Sequence, residues 1–590
     1  MDAEATSCRA AIRTAKGVVD DIGKEGAKKS PGLFQLAGCK EDHSERDVHK
    51  VVAKDYKLAL PIEMTRLPKV PGMMYSGEIK VLALRSWITF IVQYNVWHLL
   101  CGLHKANPER ETQILLEFWR RYRLLRPSHR IFQLHDRGQI DLSRCAPLMV
   151  HGDEGRGRKK AGFLCVSYYS YIGFGTEESN LLRKHRSFLQ MRLNYGGATF
   201  LHRFLTAVLP KMLKDDYALK AILNFIADDV CDVLANGVRD SQGHVYTTCV
   251  LQVVGDWQFL VKAGSRTRSY SNVQKRPLTE ASRPKGICHM CQAGQRDVPW
   301  ENYRSDTVPA WWGTMHVEDA FEGDPALNRI PFIPGERAAF YTYDLFHSYH
   351  LGVGKSFVAG CLAMASEYMW AGKADDRLEQ LSSLWLTWAG ENHVSAYLFS
   401  ITRSLLGWPD KGTFPNGQWS KGHVTSNLGR FFESWASEQN LEGDELMTLA
   451  LETSKKITLC LRKLYESDVW LNRGDAEVVV ENGLGFLEGY KRLATLAFRN
   501  NVALFPHMPK GHSLDHNFLG PQSRPGKEQP ALLFKPSQSC GADSGRLGRK
   551  DITTLQKDRA APSHSTCPPK GFTGMLRPLA QSRIPYLVIL

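Results

Sequence analysis

Two aspartates stand where apolar runs end. Asp153 closes Val150-His-Gly-Asp153, after the run Ala146 to Val150, and Asp256 closes Val253-Val-Gly-Asp256, after Val245 to Val254. A carboxylate at a strand end is held rigidly, and its hard oxygens suit Mg²⁺ or Mn²⁺. Two such carboxylates can share a pair of ions about 3.5–4 Å apart, which stabilise the attacking and leaving oxygens of phosphoryl transfer. The plainer alternative is that each Gly-Asp only turns the chain, since both are turn residues. Arg156, Arg158, Lys159 and Lys160 follow the first aspartate, and Arg266 and Arg268 follow the second. Cations so placed are expected to meet a phosphate backbone.

A second set of residues has softer donors. Cys288-His-Met-Cys291 has the spacing of half a zinc site. Tyr343-Asp344-Leu-Phe-His347-Ser-Tyr-His350 offers a completion: on an α-helix His347 and His350, three apart, share a face. The expected centre is therefore Cys288, Cys291, His347 and His350 around a structural Zn²⁺. The alternative is two buried thiols and two surface histidines. Further on, Leu504 to His516 carries His507, Lys510, His512 and His516. This segment could contact phosphate or metal, or be a polar loop after a helix.

The elements that must position these groups change along the chain. Residues 1–45 are small, charged and poor in aromatics, and are expected to be disordered. Residues 46–144 read as a helical N-terminal domain, with Trp87, Phe90, Ile91, Trp97 and Leu100, then Ile114, Leu115, Phe118 and Tyr122, at mostly helical spacings. Residues 145–356 read as the catalytic core with its Cys-x-x-Cys segment. Ala146 to Val150 and Phe163 to Tyr171 should form a hairpin around the charged turn Gly152 to Lys160, and Val245 to Val254 a further strand. Residues 199–236 are expected to be helical, with Phe200, Phe204, Leu205, Val208 and Leu209 on one face. Helical signals fill 357–516, as an insertion followed by the His-rich segment. The tail, 517–590, holds nine of the chain's 28 prolines and lacks periodicity, so it is expected to be disordered.

Composition narrows the class. The chain has 590 residues, 43% of them hydrophobic, enough for several domains around a sizeable core. Its net charge of +14 permits a nucleic-acid partner without requiring one. The 13 cysteines are odd in number and scattered, which argues against a disulfide framework. Met1 to Lys29 has no apolar core and is not a secretory signal. Val81 to Leu103 is the most apolar window, but Arg85, Gln93, Asn95 and His98 interrupt it, so no membrane partner is expected.

The order of the motifs adds what none supplies alone. A strand-end Asp153, Gly255-Asp256, Cys288-x-x-Cys291, Asp344-x-x-His347 and Pro509-Lys-x-His512-x-x-x-His516 resemble, in that order, the DDE-type DNA transposases of the CACTA-like group. The wording at 151–158 and 346–352 is similar to transposon-derived proteins of dinoflagellate genomes. The resemblance covers about residues 45–516. It implies an α/β fold: an RNase H-like mixed-sheet core carrying a large helical insertion at 357–500. It implies Mg²⁺ or Mn²⁺ at Asp153 and Asp256, metal-dependent cleavage and strand transfer on DNA, a nuclear location and a homo-oligomer. Under it, Asp344 and His347 form a structural element beside the site. The third acid departs from the family pattern: the only glutamate after His516 is Glu528, in a Pro- and Gly-rich stretch. An inactive, aberrant C-terminus is one expectation, and substitution by Glu367, Glu391 or Glu452 another. The competing reading is a non-enzymatic, zinc-stabilised DNA-binding or scaffold protein.

Overall fold

The computed structural model describes residues 8–519 and 532–534, apart from 56–61, 74–77, 157–161, 174, 182–188, 193–202, 211–214, 274–278, 304–307, 316–319, 370 and 395–396. The N-terminal segment is helical from Cys8, which corrects the expectation of disorder for the described part of 1–45. The helix Cys8–Lys28 buries Ile12, Ala15, Val19 and Ala27 along one stripe. Ile12 joins Cys39, Val48 and Val51 in a small apolar cluster. Small side chains suffice because helices can approach closely over them.

The region 46–144 is largely helical, with Leu84–Gln93 and Pro108–Leu125 as its main helices. It also contains an antiparallel pair, Met64–Leu67 with Ile79–Leu82, not anticipated from the sequence. Nor does it have a core of its own. Trp87, Phe118 and Trp119 belong to the same apolar cluster as the central sheet. Two indoles fasten it there: Trp87 Nε1 donates to the Leu205 carbonyl at 2.7 Å and Trp119 Nε1 to the Cys145 carbonyl at 2.8 Å.

The sheet has six strands: β1 (Cys145–Arg156), β2 (Gly162–Ser170), β3 (Arg203–Pro210), β4 (Val238–Arg239), β5 (Val245–Gly255) and β6 (Tyr341–Tyr343). Their order is β3-β2-β1-β5-β4, with β6 also on β5. Neighbours among the first three are antiparallel, as are β4 and β5, whereas β5 runs parallel to β1, and β6 parallel to β5. The expected hairpin and the strand from Val245 are thus present, but the turn expected over Gly152 to Lys160 is corrected: β1 runs on through Gly152 to Arg156, paired with β2, and 157–161 lie outside the described residues. The helix expected over 199–236 is not: Arg203–Pro210 is strand β3, and only Asp216–Asn236 is helical (α1). The apolar set Phe204, Leu205, Val208 and Leu209 fits either period over so short a run, and the sheet edge beside β2 claimed it. Helix α1 crosses from β3 to β5 and buries Ile222, Ile226, Val230 and Val233 against the sheet.

Beyond β6 the chain becomes helical and builds a second apolar core. Helices α3 (Gly354–Met369), α4 (Gly422–Ser437), α5 (Glu445–Glu466) and α6 (Arg473–Arg499) form its frame, and α7 (Lys510–Leu519) returns to β6. A short helix, α2 (Trp257–Ala263), follows β5. Side-chain caps fix the starts: Asp215 accepts from Ala218 N at 2.6 Å, Asp444 from Met447 N at 2.8 Å and Asn472 from Asp475 N at 2.8 Å. Most of the tail, 517–590, lies outside the described residues, but Leu532–Phe534 pairs antiparallel with Trp470–Asn472. The architecture is therefore α/β, predominantly helical, around a mixed six-stranded sheet. Among the described residues, no helix is long and apolar enough to cross a membrane.

Candidate functional site

The first group lies where β5 and β6 end beside β1, which itself runs on to Arg156 with Asp153 opposite Cys165 of β2. Gly152 of β1 is the Cα partner of Gly255 of β5, and Gly255 is the partner of Tyr343 of β6. The residue after each is an aspartate: Asp153 within β1, and Asp256 and Asp344 just beyond β5 and β6. Pairing in one register therefore sets the three aspartates side by side, on strands about 5 Å apart. The two glycines make the approach possible. A Cβ on Gly255 would lie 2.1 Å from the Gly152 carbonyl oxygen, and one on Gly152 would lie 2.4 Å from the Phe259 ring. Asp256 also caps α2, accepting from Phe259 N at 2.6 Å.

His347 ties the row together. Its backbone N–H and its Nδ1 meet the two oxygens of Asp344 at 2.7 and 2.6 Å, and its Nε2 lies 3.4 Å from Asp153 Oδ1. Burial opposes a charge on this imidazole, but Asp344 and then Asp153 push its pKa up to about 10. Burial likewise opposes ionisation of Asp153 and Asp344, and His347 holds both carboxyls below the usual range. Asp344 is fully buried, whereas a third of Asp153, 36%, faces solvent. Beneath them His151 is buried on β1, and its Nε2 has no hydrogen-bond partner among the described residues. Burial first, then Arg203, pushes it down to about 3, so this imidazole is neutral. Lys510, at the start of α7, lies in the field of Asp344 and Asp256.

The second group is a buried Cys₂His₂ set, and its histidines are not the expected ones. Cys288, Cys291, His512 and His516 bring four donor atoms within 4.8 Å of one another. Cys288 Sγ is 3.3 Å from His516 Nε2, Cys291 Sγ is 3.2 Å from His512 Nε2, and the two Nε2 atoms are 3.1 Å apart. Around one tetrahedral Zn²⁺, with Zn–S about 2.3 Å and Zn–N about 2.05 Å, such pairs would be separated by about 3.3–3.8 Å. The donor set and its spacing therefore suit a metal such as zinc. The Cys-x-x-Cys turn is shaped for it: Gly286 and Gly294 take φ of 87° and 81°, and Met290 N donates to Cys288 Sγ at 3.3 Å. Burial resists ionisation, yet the Cys291 thiol and both imidazoles pull Cys288 below the ordinary thiol range.

His347 and His350 are thereby corrected as ligands. Phe346–Val353 is π-helical. Its wider turn separates residues that an α-helix would align. His347 faces the aspartates, and His350 faces the helical core, where Nε2 meets Tyr465 Oη at 2.7 Å and Nδ1 meets Ser426 Oγ at 3.2 Å. The replacement ligands, His512 and His516, are four apart on α7 and so share a face. That spacing was visible in the sequence within the His-rich segment.

Arg266 and Arg268 are also corrected as DNA contacts, because both are buried. Arg268 donates to the carbonyls of Cys288 and Cys291 at 3.3 and 2.6 Å, bracing the cysteine turn. Arg266 reaches the Tyr341 carbonyl at 3.1 Å and lies over the rings of Trp257 and Tyr341. Arg156 ends β1, while Arg158, Lys159 and Lys160 fall outside the described residues. Of the suggested substitutes for a third acid, Glu367 pairs with Arg377 and Lys411, and Glu391 and Glu452 are exposed on helices.

The two groups are neighbours. Tyr343 donates to Cys288 Sγ at 3.4 Å, and the next residue is Asp344. Lys510 and His512 are two residues apart on α7. No protein-family model matches the chain, and no curated protein is detectably similar to it.

Proposed function

We propose that the chain is a transposase-derived DNA-binding protein whose sheet end is a metal-dependent site for cleaving and joining DNA. The observation that carries the reading is that Asp153 on β1 lies in register with Asp256 and Asp344, which follow the ends of the parallel strands β5 and β6. The strand order, antiparallel on one side of β1 and parallel on the other, is the order expected of an RNase H-like core. In this reading Asp153 and Asp256 hold Mg²⁺ or Mn²⁺, and such ions make a nucleophile of water or of a DNA 3′ hydroxyl and screen the charge at the scissile phosphate. The chain's own groups do the rest. Asp344, buried and ionised, orients His347, and His347 keeps a proton beside Asp153. Asp344 supplies the third carboxylate of the row. The Cys₂His₂ set holds a structural Zn²⁺ that clips α7 to the cysteine turn.

The test is nicking of supercoiled DNA with Mg²⁺ or Mn²⁺. Activity that vanishes in Asp153→Ala and Asp256→Ala alike is expected, and activity surviving in either removes that residue from the mechanism. One observation favours the second reading, a zinc-stabilised DNA-binding or scaffold protein without activity. Among the described residues, only the Cys/His group brings three or more donors within 4.8 Å. That reading predicts DNA affinity that falls steeply with salt, unchanged by the aspartate substitutions, with no nicking in the native chain.

A further inference from the structure

We infer that Lys355 and Lys510 form a phosphate-binding pair, placed to hold the backbone of a DNA strand beside the aspartate row. The inference rests on the proposed reading of the protein as DNA-binding, and it names where the strand is held. The pair is built on consecutive residues of the π-helical segment. The Leu351 carbonyl accepts from Lys510 Nζ at 3.4 Å. The His350 carbonyl accepts from Thr425 Oγ1 at 2.6 Å, and Thr425 Oγ1 accepts from Trp419 Nε1 at 2.8 Å. The Lys355 ammonium stands 6.0 Å from the centre of that Trp419 ring. A glycine clears the way for the other stem, since a Cβ on Gly352 would come 2.9 Å from Lys510 Cδ.

Neither ammonium has an ion-pair partner. Both lysines are part-buried, and among the described residues no carboxylate lies within 4.0 Å of either charge. Asp344 and Asp256 act on Lys510 from beyond that distance. A carbonyl at 3.4 Å and a ring at 6.0 Å are weak contacts. Charges drawn out of water normally meet a counter-charge, because desolvation costs more than such contacts return. The two also oppose each other: burial, and then Lys510, lower the pKa of Lys355. Departures of this kind from the rules of stable folding mark binding sites, and the missing partner is an anion. Position selects which anion. The same segment carries His347, four residues before Leu351, and His347 Nε2 is 3.4 Å from Asp153 Oδ1. A phosphodiester flanking the one at the row would meet the pair, and the net charge of +14 draws such a polyanion in.

Binding of a fluorescein-labelled, mixed-sequence DNA duplex to the full chain, followed by anisotropy against salt, tests the pair. Lys355→Gln and Lys510→Gln should each weaken binding about tenfold at about 0.1 M salt. Each should also flatten the dependence of log affinity on log salt by about 0.9, the share of one phosphate contact. Thermal unfolding separates this from a packing role. Lys355→Gln should melt no lower than the native chain, because it removes an unpaired, part-buried charge. Native affinity and slope in Lys355→Gln overturn the pair, and so does a lower melting temperature in that variant. Calorimetry with inorganic phosphate alone distinguishes the source of the anion. Phosphate bound by the native chain and lost in Lys355→Gln, with equal DNA affinity in both, would assign the pair to a free phosphate and overturn its hold on a strand. If the native chain does not bind the duplex, the proposed function falls and the inference with it. If the native chain binds and both lysine variants match it, the inference alone falls.

Discussion

Either side of Tyr343 the molecule keeps two kinds of donor in two kinds of order. The soft set, Cys288, Cys291, His512 and His516, is buried and closes on itself within 4.8 Å. The hard set, Asp153, Asp256 and Asp344, is strung across neighbouring strands, with His347 joining Asp344 to Asp153 and Asp153 part-exposed. A closed four-donor set serves structure, and an open row leaves positions for water and substrate. Of the two, the closed set is the more finished geometry and the aspartate row the more open one.

The comparison is broken most easily at the closed set. Cys288→Ser should lower zinc from about one per chain to near zero and cost more than about 4 kcal/mol, as loss of a metal does. Metal analysis and chemical unfolding read this, and zinc retained in the variant would refute the ligand set. Next comes the glycine row. Gly255→Ala would press a methyl against the Gly152 carbonyl and Phe259, and should cost about 2–3 kcal/mol. Stability within about 0.5 kcal/mol of native would mean the strand ends are looser than described.

A smaller effect distinguishes the row by pH. In the metal-free protein His347 titrates near 10, above its ordinary 6.5. Its imidazolium therefore contributes stability fully below pH 6.5 and loses it as pH rises through about 10. Unfolding measured in chelator should show this decline in the native chain and lose it in Asp344→Asn. A flat profile in both would remove the Asp344–His347 pair as a charged unit. Least of all should Glu367→Gln matter. Glu367 is part-exposed and its partner Lys411 is exposed, so less than about 1 kcal/mol is expected, with Mn²⁺ binding unchanged.

Much of this was legible in the sequence, and the failures have physical causes. Strands β1, β2 and β5 announced themselves because both faces are buried and their apolar runs are continuous. Strand β3 did not, because Phe204, Leu205, Val208 and Leu209 satisfy a helical face as well. Strand β6 is three residues long, too short to show a period, so Asp344 did not read as a strand-end acid like the other two. The zinc partners were misassigned because an i, i+3 rule for α-helices was applied to a π-helical turn. Spacing along the chain also favoured the nearer histidines over those that the fold brings back. Arg266 and Arg268 show the limit of counting charges. A guanidinium close in sequence to an acid serves the interior when carbonyls and aromatic faces wait for it there.

Cys291 and His512 are 221 residues apart, and nearly the whole helical region lies between them. Closing so long a loop is entropically costly until the intervening helices have collapsed. If the set takes a metal, ion capture would then be the last lock on a finished scaffold, a sequence that metal-dependent refolding kinetics would test. A nascent chain released with zinc scarce would carry a complete sheet and helical core, yet an unfastened α7.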